Sequence, residues 1–154
     1  MIIRYLFWFV IATVSFSQAG LATTSLDRDQ QRKLFIKAHR LAHNPNSSAF
    51  KILMEQLEGY PLKPYVELKT LSKFPFMANK TRIGDFLDKY EASPLDRPLR
   101  KKWLIYLGKQ NQPELFLHFY KDMGDAALDC KYAEILLKKN SFNAEALAMT
   151  ENLW

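Results

Sequence analysis

The feature that most constrains this chain is the recurrence of its apolar residues. From residue 26 onward they fall at i, i+3, i+4 and i+7, and each run is closed within a few turns by Pro, Gly or Asn. Phe50, Leu53, Met54 and Leu57 make one such stripe; Ile83, Phe86, Leu87 and Tyr90 make another. This is the period of a helix with one buried side. Strand-like runs of Val, Ile and Thr are nearly absent, and there are only five glycines. Leu, Lys, Ala and Glu, all good helix formers, take their place.

The breaks then order the chain. A first helix is expected over 26–43, with Leu34, Ala38 and Leu41 on its stripe, ended by Asn44-Pro45-Asn46. Ser47 caps a second helix, which Gly59 closes. After the bend Tyr60-Pro61-Leu62-Lys63-Pro64, a third runs to about residue 72 with Tyr65, Val66 and Leu68, and Phe74-Pro75-Phe76 stops it. The fourth carries the Ile83 stripe and closes at Ser93-Pro94. Asp96 is expected to cap a fifth, with Pro98 in its first turn and Leu99, Trp103, Tyr106 and Leu107 before Gly108. A sixth starts at Gln112-Pro113, carries Phe116, Phe119, Tyr120 and Met123, and ends at Gly124. Asp125 caps a seventh with Leu128, Tyr132, Ile135 and Leu136, and an eighth from near Asn143 holds Ala146, Leu147 and Leu153. Short loops make neighbours pack as antiparallel pairs. The expected fold is all-α: stacked antiparallel helix pairs forming part of an irregular αα superhelix, with a compact bundle as the alternative. No clean internal repeat is visible.

Residues 1–22 read differently. Arg4 gives a short positive start, residues 5–16 are nearly all apolar, and small residues surround Ala19 and Ala22. This is the pattern of a secretory signal peptide cut after Ala19 or Ala22. The apolar run is shorter than the roughly 20 residues a membrane span needs, although an uncleaved anchor is the alternative. The expectation is a periplasmic chain, residues 23–154, with no stable membrane span after cleavage and no nucleic-acid partner.

The net charge is +6. Arg97, Arg100, Lys101 and Lys102 form the densest basic patch, which suits an acidic polymer such as a peptidoglycan glycan strand and equally suits a solvated helix face with Trp103 turned inward. His39 and His43 are four apart, but a metal site wants a third ligand, and no His-Glu-x-x-His or Cys–His spacing occurs. Glu55, Glu58, Glu67, Asp85 and Asp88 read as solvent-face charges, so no catalytic residue is assigned. No G-x-S-x-G and no phosphate-binding glycine loop is present. No cofactor is expected. The lone Cys130 reads either as a buried inert thiol or as a cysteine without its partner.

Several stretches, taken in order, resemble the N-terminal superhelical domain of the soluble periplasmic lytic murein transglycosylases. Tyr60-Pro61-Leu62-Lys63-Pro64-Tyr65-Val66-Glu67 is similar to that family's "YPL-x-PY-x-E" helix start. Asp85-Phe86-Leu87 and the Leu99, Trp103, Leu107 helix resemble its "FL" and "LR-x-x-WL" helices. Cys130-Lys131-Tyr132-Ala133 resembles its "C-x-Y-A" helix, and Ala146 with Leu153-Trp154 the "A…LW" helix that follows. The likeness covers about residues 30–154. It implies a parent enzyme that cleaves the MurNAc–GlcNAc bond to 1,6-anhydro products, with a lysozyme-like domain supplying a catalytic Glu followed by Ser. This chain has no Glu-Ser pair. The resemblance therefore implies a truncated, inactive segment, and a free thiol at Cys130, whose family counterpart pairs with a cysteine just downstream. The alternatives are a free-standing periplasmic module that binds peptidoglycan or an envelope protein, and an unrelated helical envelope adaptor.

Overall fold

The computed structural model describes residues 27–140 and 143–152. Residues 1–22, for which a signal peptide is expected, and Leu26, Leu153 and Trp154 lie outside them. The described residues form eight α-helices and no strand: α1 Arg28–Leu41, α2 Ser48–Gln56, α3 Lys63–Lys73, α4 Lys80–Lys89, α5 Asp96–Lys109, α6 Pro113–Phe119, α7 Ala126–Lys139 and α8 Ala144–Asn152. A single 3-10 turn, Met77–Asn79, leads into α4. The fold is all-α, and none of these helices is long and apolar enough to cross a membrane.

Local chemistry sets the ends. Ser47 Oγ accepts from the Phe50 amide at 3.2 Å and starts α2. Asp125 accepts from the Leu128 amide and starts α7. Asn143 Oδ1 accepts from the Ala146 amide at 3.0 Å and starts α8. Each satisfies an amide that the first helical turn leaves without a partner. Gly59, at φ +74°, turns the chain out of α2 in a conformation that a side chain disfavours.

Three ends differ from the sequence reading. Asp96 is the first residue of α5 and not its cap, because its carboxylate is turned along the helix to Arg100. Ser93 holds the preceding turn instead, donating to the Tyr90 carbonyl at 2.6 Å and accepting from the Leu95 amide at 3.2 Å. Gly108 does not end α5; the helix runs through Lys109, and Asn111, at φ +50°, makes the left-handed turn. The sixth helix stops at Phe119, short of Met123. The Phe119 carbonyl, which a longer helix would give to the Met123 amide, takes a 2.9 Å bond from Arg100 Nη1. The chain leaves extended at Tyr120, whose ring stacks 3.9 Å from that of Tyr132 on α7.

Two apolar clusters hold the helices. The smaller joins Ala38, Ala42, Phe50, Leu57 and Val66 across α1 to α3. The larger is built around α5, whose Leu99, Trp103, Leu104 and Leu107 are fully buried against Ile83, Phe86, Leu87, Phe116, Leu128 and Ile135. Each such side chain contributes about 1.5–3 kcal/mol of burial. α3 belongs to both clusters, with Val66 in one and Leu71 in the other. α5 touches α3, α4, α6 and α7 and is the hub of the packing.

Candidate functional site

Burying one face of a helix dictates what the other face shows. In α3, Val66, Thr70 and Leu71 point inward. Tyr65, Lys69 and Lys73, spaced i, i+4, i+8, are therefore left outside on one line. In α5 the inward set is Leu99, Arg100, Trp103, Leu104 and Leu107, which turns Pro98 and Lys102 outward. α1 adds His39 from its last turn. Together these line an open groove of about 520 Å³. Its wall carries three lysines, a tyrosine that is 46% exposed, and no carboxylate.

Lys69 ties α3 to the end of α1. Its ammonium donates to the His39 carbonyl at 2.9 Å and lies 3.1 Å from His39 Nδ1. That carbonyl belongs to the last turn of α1, where helix oxygens lack partners and a cation is favoured. Burial, and secondarily the Lys69 charge, lower the His39 pKa from the usual imidazole value. Both effects favour the neutral imidazole, and Nδ1 accepts from the Lys69 ammonium. Lys73 sits 5.7 Å from the Phe74 ring centroid, within cation–π range.

The four-residue basic patch expected on α5 is dispersed by the fold. Arg100 is buried, at 4% exposure, and is withdrawn from any glycan-contacting surface. Its Nε and Nη2 donate to the Asp96 carboxylate at 2.7–3.2 Å, and Nη1 to Phe119. Lys101 turns to Asp125, the N-cap of α7. Arg97 is exposed and does not line the groove; Lys102 alone of the four does. Trp103 faces the core, as the helical period required.

Cys130 is exposed on α7, which overturns the buried-thiol reading. His39 and His43 do not share a helix face, since α1 ends at Leu41 and His43 Nδ1 bonds back to the Arg40 carbonyl at 2.7 Å. Among the described residues no three His, Cys, Asp or Glu side chains are grouped to hold a metal ion. Glu58, Glu91, Asp125 and Glu134 are each pushed below the usual carboxylate range, chiefly by hydrogen bonds from Lys63, Lys121, Lys101, and Lys131 with Lys138. A general acid requires displacement in the opposite direction.

Lys69 and Lys73 were not singled out by sequence reasoning, and Tyr65, expected with Val66 and Leu68 on the packed face of α3, is instead turned outward because Val66, Thr70 and Leu71 take the buried side. The four-residue spacing of Lys69 and Lys73 off the apolar stripe was a visible signal. Their convergence with Lys102, about thirty residues on, had none. The arrangement offers cations without counter-charge beside an aromatic face, which is a binding chemistry for an anionic, ring-containing polymer. Comparison of the chain with protein-family models, with curated proteins and with solved structures returned no match.

Proposed function

We propose that this chain is a non-catalytic helical segment of a periplasmic peptidoglycan lytic transglycosylase, and that it helps hold the glycan strand. The ordered likeness over residues 30–154 supports the family reading. The groove of Lys69, Lys73 and Lys102 with exposed Tyr65 is the observation that carries the binding reading. Cell-wall glycan presents carboxylates from its muramic acid and peptide arms, which ammonium groups attract. It also presents flat sugar faces, on which a tyrosine ring packs. Stacked helix pairs forming part of a superhelix would set such a groove along an extended strand.

Co-sedimentation of residues 23–154 with purified peptidoglycan sacculi tests this. Binding should weaken steeply with added salt, since the exposed charges are screened over about 8–10 Å at physiological ionic strength. Lys69→Gln, Lys73→Gln and Lys102→Gln combined should lower affinity by about ten-fold or more, at roughly 0.5–1 kcal/mol per exposed charge contact. The chain alone should release no anhydro-muropeptides from the sacculi. Unchanged binding in the triple variant would remove the groove from the proposal.

A further inference from the structure

A second cavity lies away from the groove, between the last turn of α5, the start of α6 and the second half of α7. Its volume is about 150 Å³. Leu107, Phe116 and Ile135 form its apolar wall, and Lys131, Lys138 and Lys139 stand among its lining residues. An enclosed apolar cavity of this volume accepts a benzene ring; here the apolar wall is one side of an open site whose rim is polar and includes Glu114.

Gly108 keeps it open. The glycine has no left-handed backbone to explain it, and it lies inside α5, where glycine is the less stable choice. A Cβ there would stand 3.8 Å from Phe116 Cε2 and 3.9 Å from Lys131 Cγ and Cε. A methyl group therefore fits, but a longer side chain would extend into the space beside the Phe116 ring.

The charges at this cavity are unbalanced. Lys131 and Lys138 share one carboxylate, Glu134, while Lys139 pairs with Glu114. Three ammonium groups thus face two carboxylates. Lys138 and Lys139 have side chains 72% and 51% exposed, so their ion pairs exchange readily with an incoming anion.

We propose that this pocket binds a small amphiphilic anion: one ring, or a branched chain of similar size, carrying a carboxylate. The apolar part enters beside Gly108 and Phe116, and the carboxylate meets Lys131 and Lys138. About 150 Å³ encloses one ring, so the ligand to which the proposal commits is a free small acid.

Titration of the nitrogen-15-labelled chain with phenylacetate, followed by amide spectra, tests the proposal. Gly108, Asn111 and Ile135 amides should shift together and saturate, with half-saturation on the order of millimolar for so few atoms. Benzylammonium, a cation of the same size, should bind about ten-fold or more weakly. Gly108→Leu should abolish the shifts, because the helical backbone accepts leucine and its side chain fills the site. Should Gly108→Leu fail to fold, Lys131→Met with Lys138→Met decides: both lysines are at the surface, and the preference for phenylacetate should fall below about three-fold. Absence of saturable shifts up to about 50 mM, equal binding of the anion and the cation, or undiminished binding in Gly108→Leu would each overturn the proposal.

Discussion

Replacing Arg100 with methionine should destabilise the fold by about 3 kcal/mol. The guanidinium is 4% exposed and makes three hydrogen-bond contacts to Asp96 and one to the Phe119 carbonyl. Methionine fills most of the volume but leaves two groups behind. Removing one member of a buried pair costs about 3–5 kcal/mol, because the other charge stays unpaired. The orphaned Phe119 carbonyl accounts for about 1–3 kcal/mol of the loss. The low end applies here. Asp96 retains 14% side-chain exposure and sits in the first turn of α5, where the helix dipole favours a carboxylate. With a urea slope of roughly 1.5 kcal/mol per molar, far-ultraviolet circular dichroism should show the midpoint fall by about 2 M with unchanged slope. The double variant Asp96→Leu with Arg100→Met removes both charges. It should recover to within about 1–2 kcal/mol of the parent, since only the carbonyl remains unsatisfied. A midpoint shift under about 0.5 M in Arg100→Met would refute the reasoning, as would a double variant that merely adds the losses of the singles.

Glycine replacements should differ in sign. A Cβ at Gly84 meets only Phe119 at 3.6–3.8 Å inside α4, so Gly84→Ala should stabilise by about 0.5–1 kcal/mol in urea unfolding, whereas Gly59→Ala, at φ +74°, should destabilise by about 1 kcal/mol. His39 should titrate below 6.5 by proton NMR, and Lys69→Met should move its pKa partway back upward. Its folded pKa is lowered, so its share of stability is full above pH 6.5 and is lost as pH falls through the folded value. Glu134, held at about 2 by Lys131 and Lys138, should give up a small, salt-sensitive contribution between pH 4.5 and about 2; at 43% exposure that contribution stays under about 1 kcal/mol. Cys130, exposed on α7, should react completely with a thiol reagent in the folded protein, at a rate within about ten-fold of a small free thiol. A reaction that waits for unfolding would contradict the exposure.

The eight helices were legible because their cause is local. An apolar period of 3.6 between Pro, Gly and Asn breaks leaves a chain few alternatives, and the caps Ser47 and Asp125 act within three residues of themselves. The inward turn of Leu99, Trp103 and Leu107 follows from the same period. The outward places of Lys69 and Lys73 were written there too, as the complement of Val66, Thr70 and Leu71, whereas Tyr65 was counted with the apolar side and lies outside it.

What the period could not decide is which charged residue a neighbouring helix claims. Arg100 looks like the lysines beside it in sequence, yet α6 ends with its Phe119 carbonyl over the guanidinium, and Arg100 becomes the cation of the core. The same contact shortens α6 and sends Tyr120 to Tyr132, so one long-range hydrogen bond overrides a local signal that pointed to Gly124. The groove depends likewise on α1, α3 and α5 meeting, and the small-acid pocket on α7 crossing the end of α5 at Gly108. The sequence alone determined that eight helices form and, apart from residues such as Tyr65 and ends such as that of α6, where they lie and which side is apolar, because those are properties of neighbours along the chain. Only the tertiary structure decided which polar residues are buried, paired or brought together, because those depend on groups many residues away.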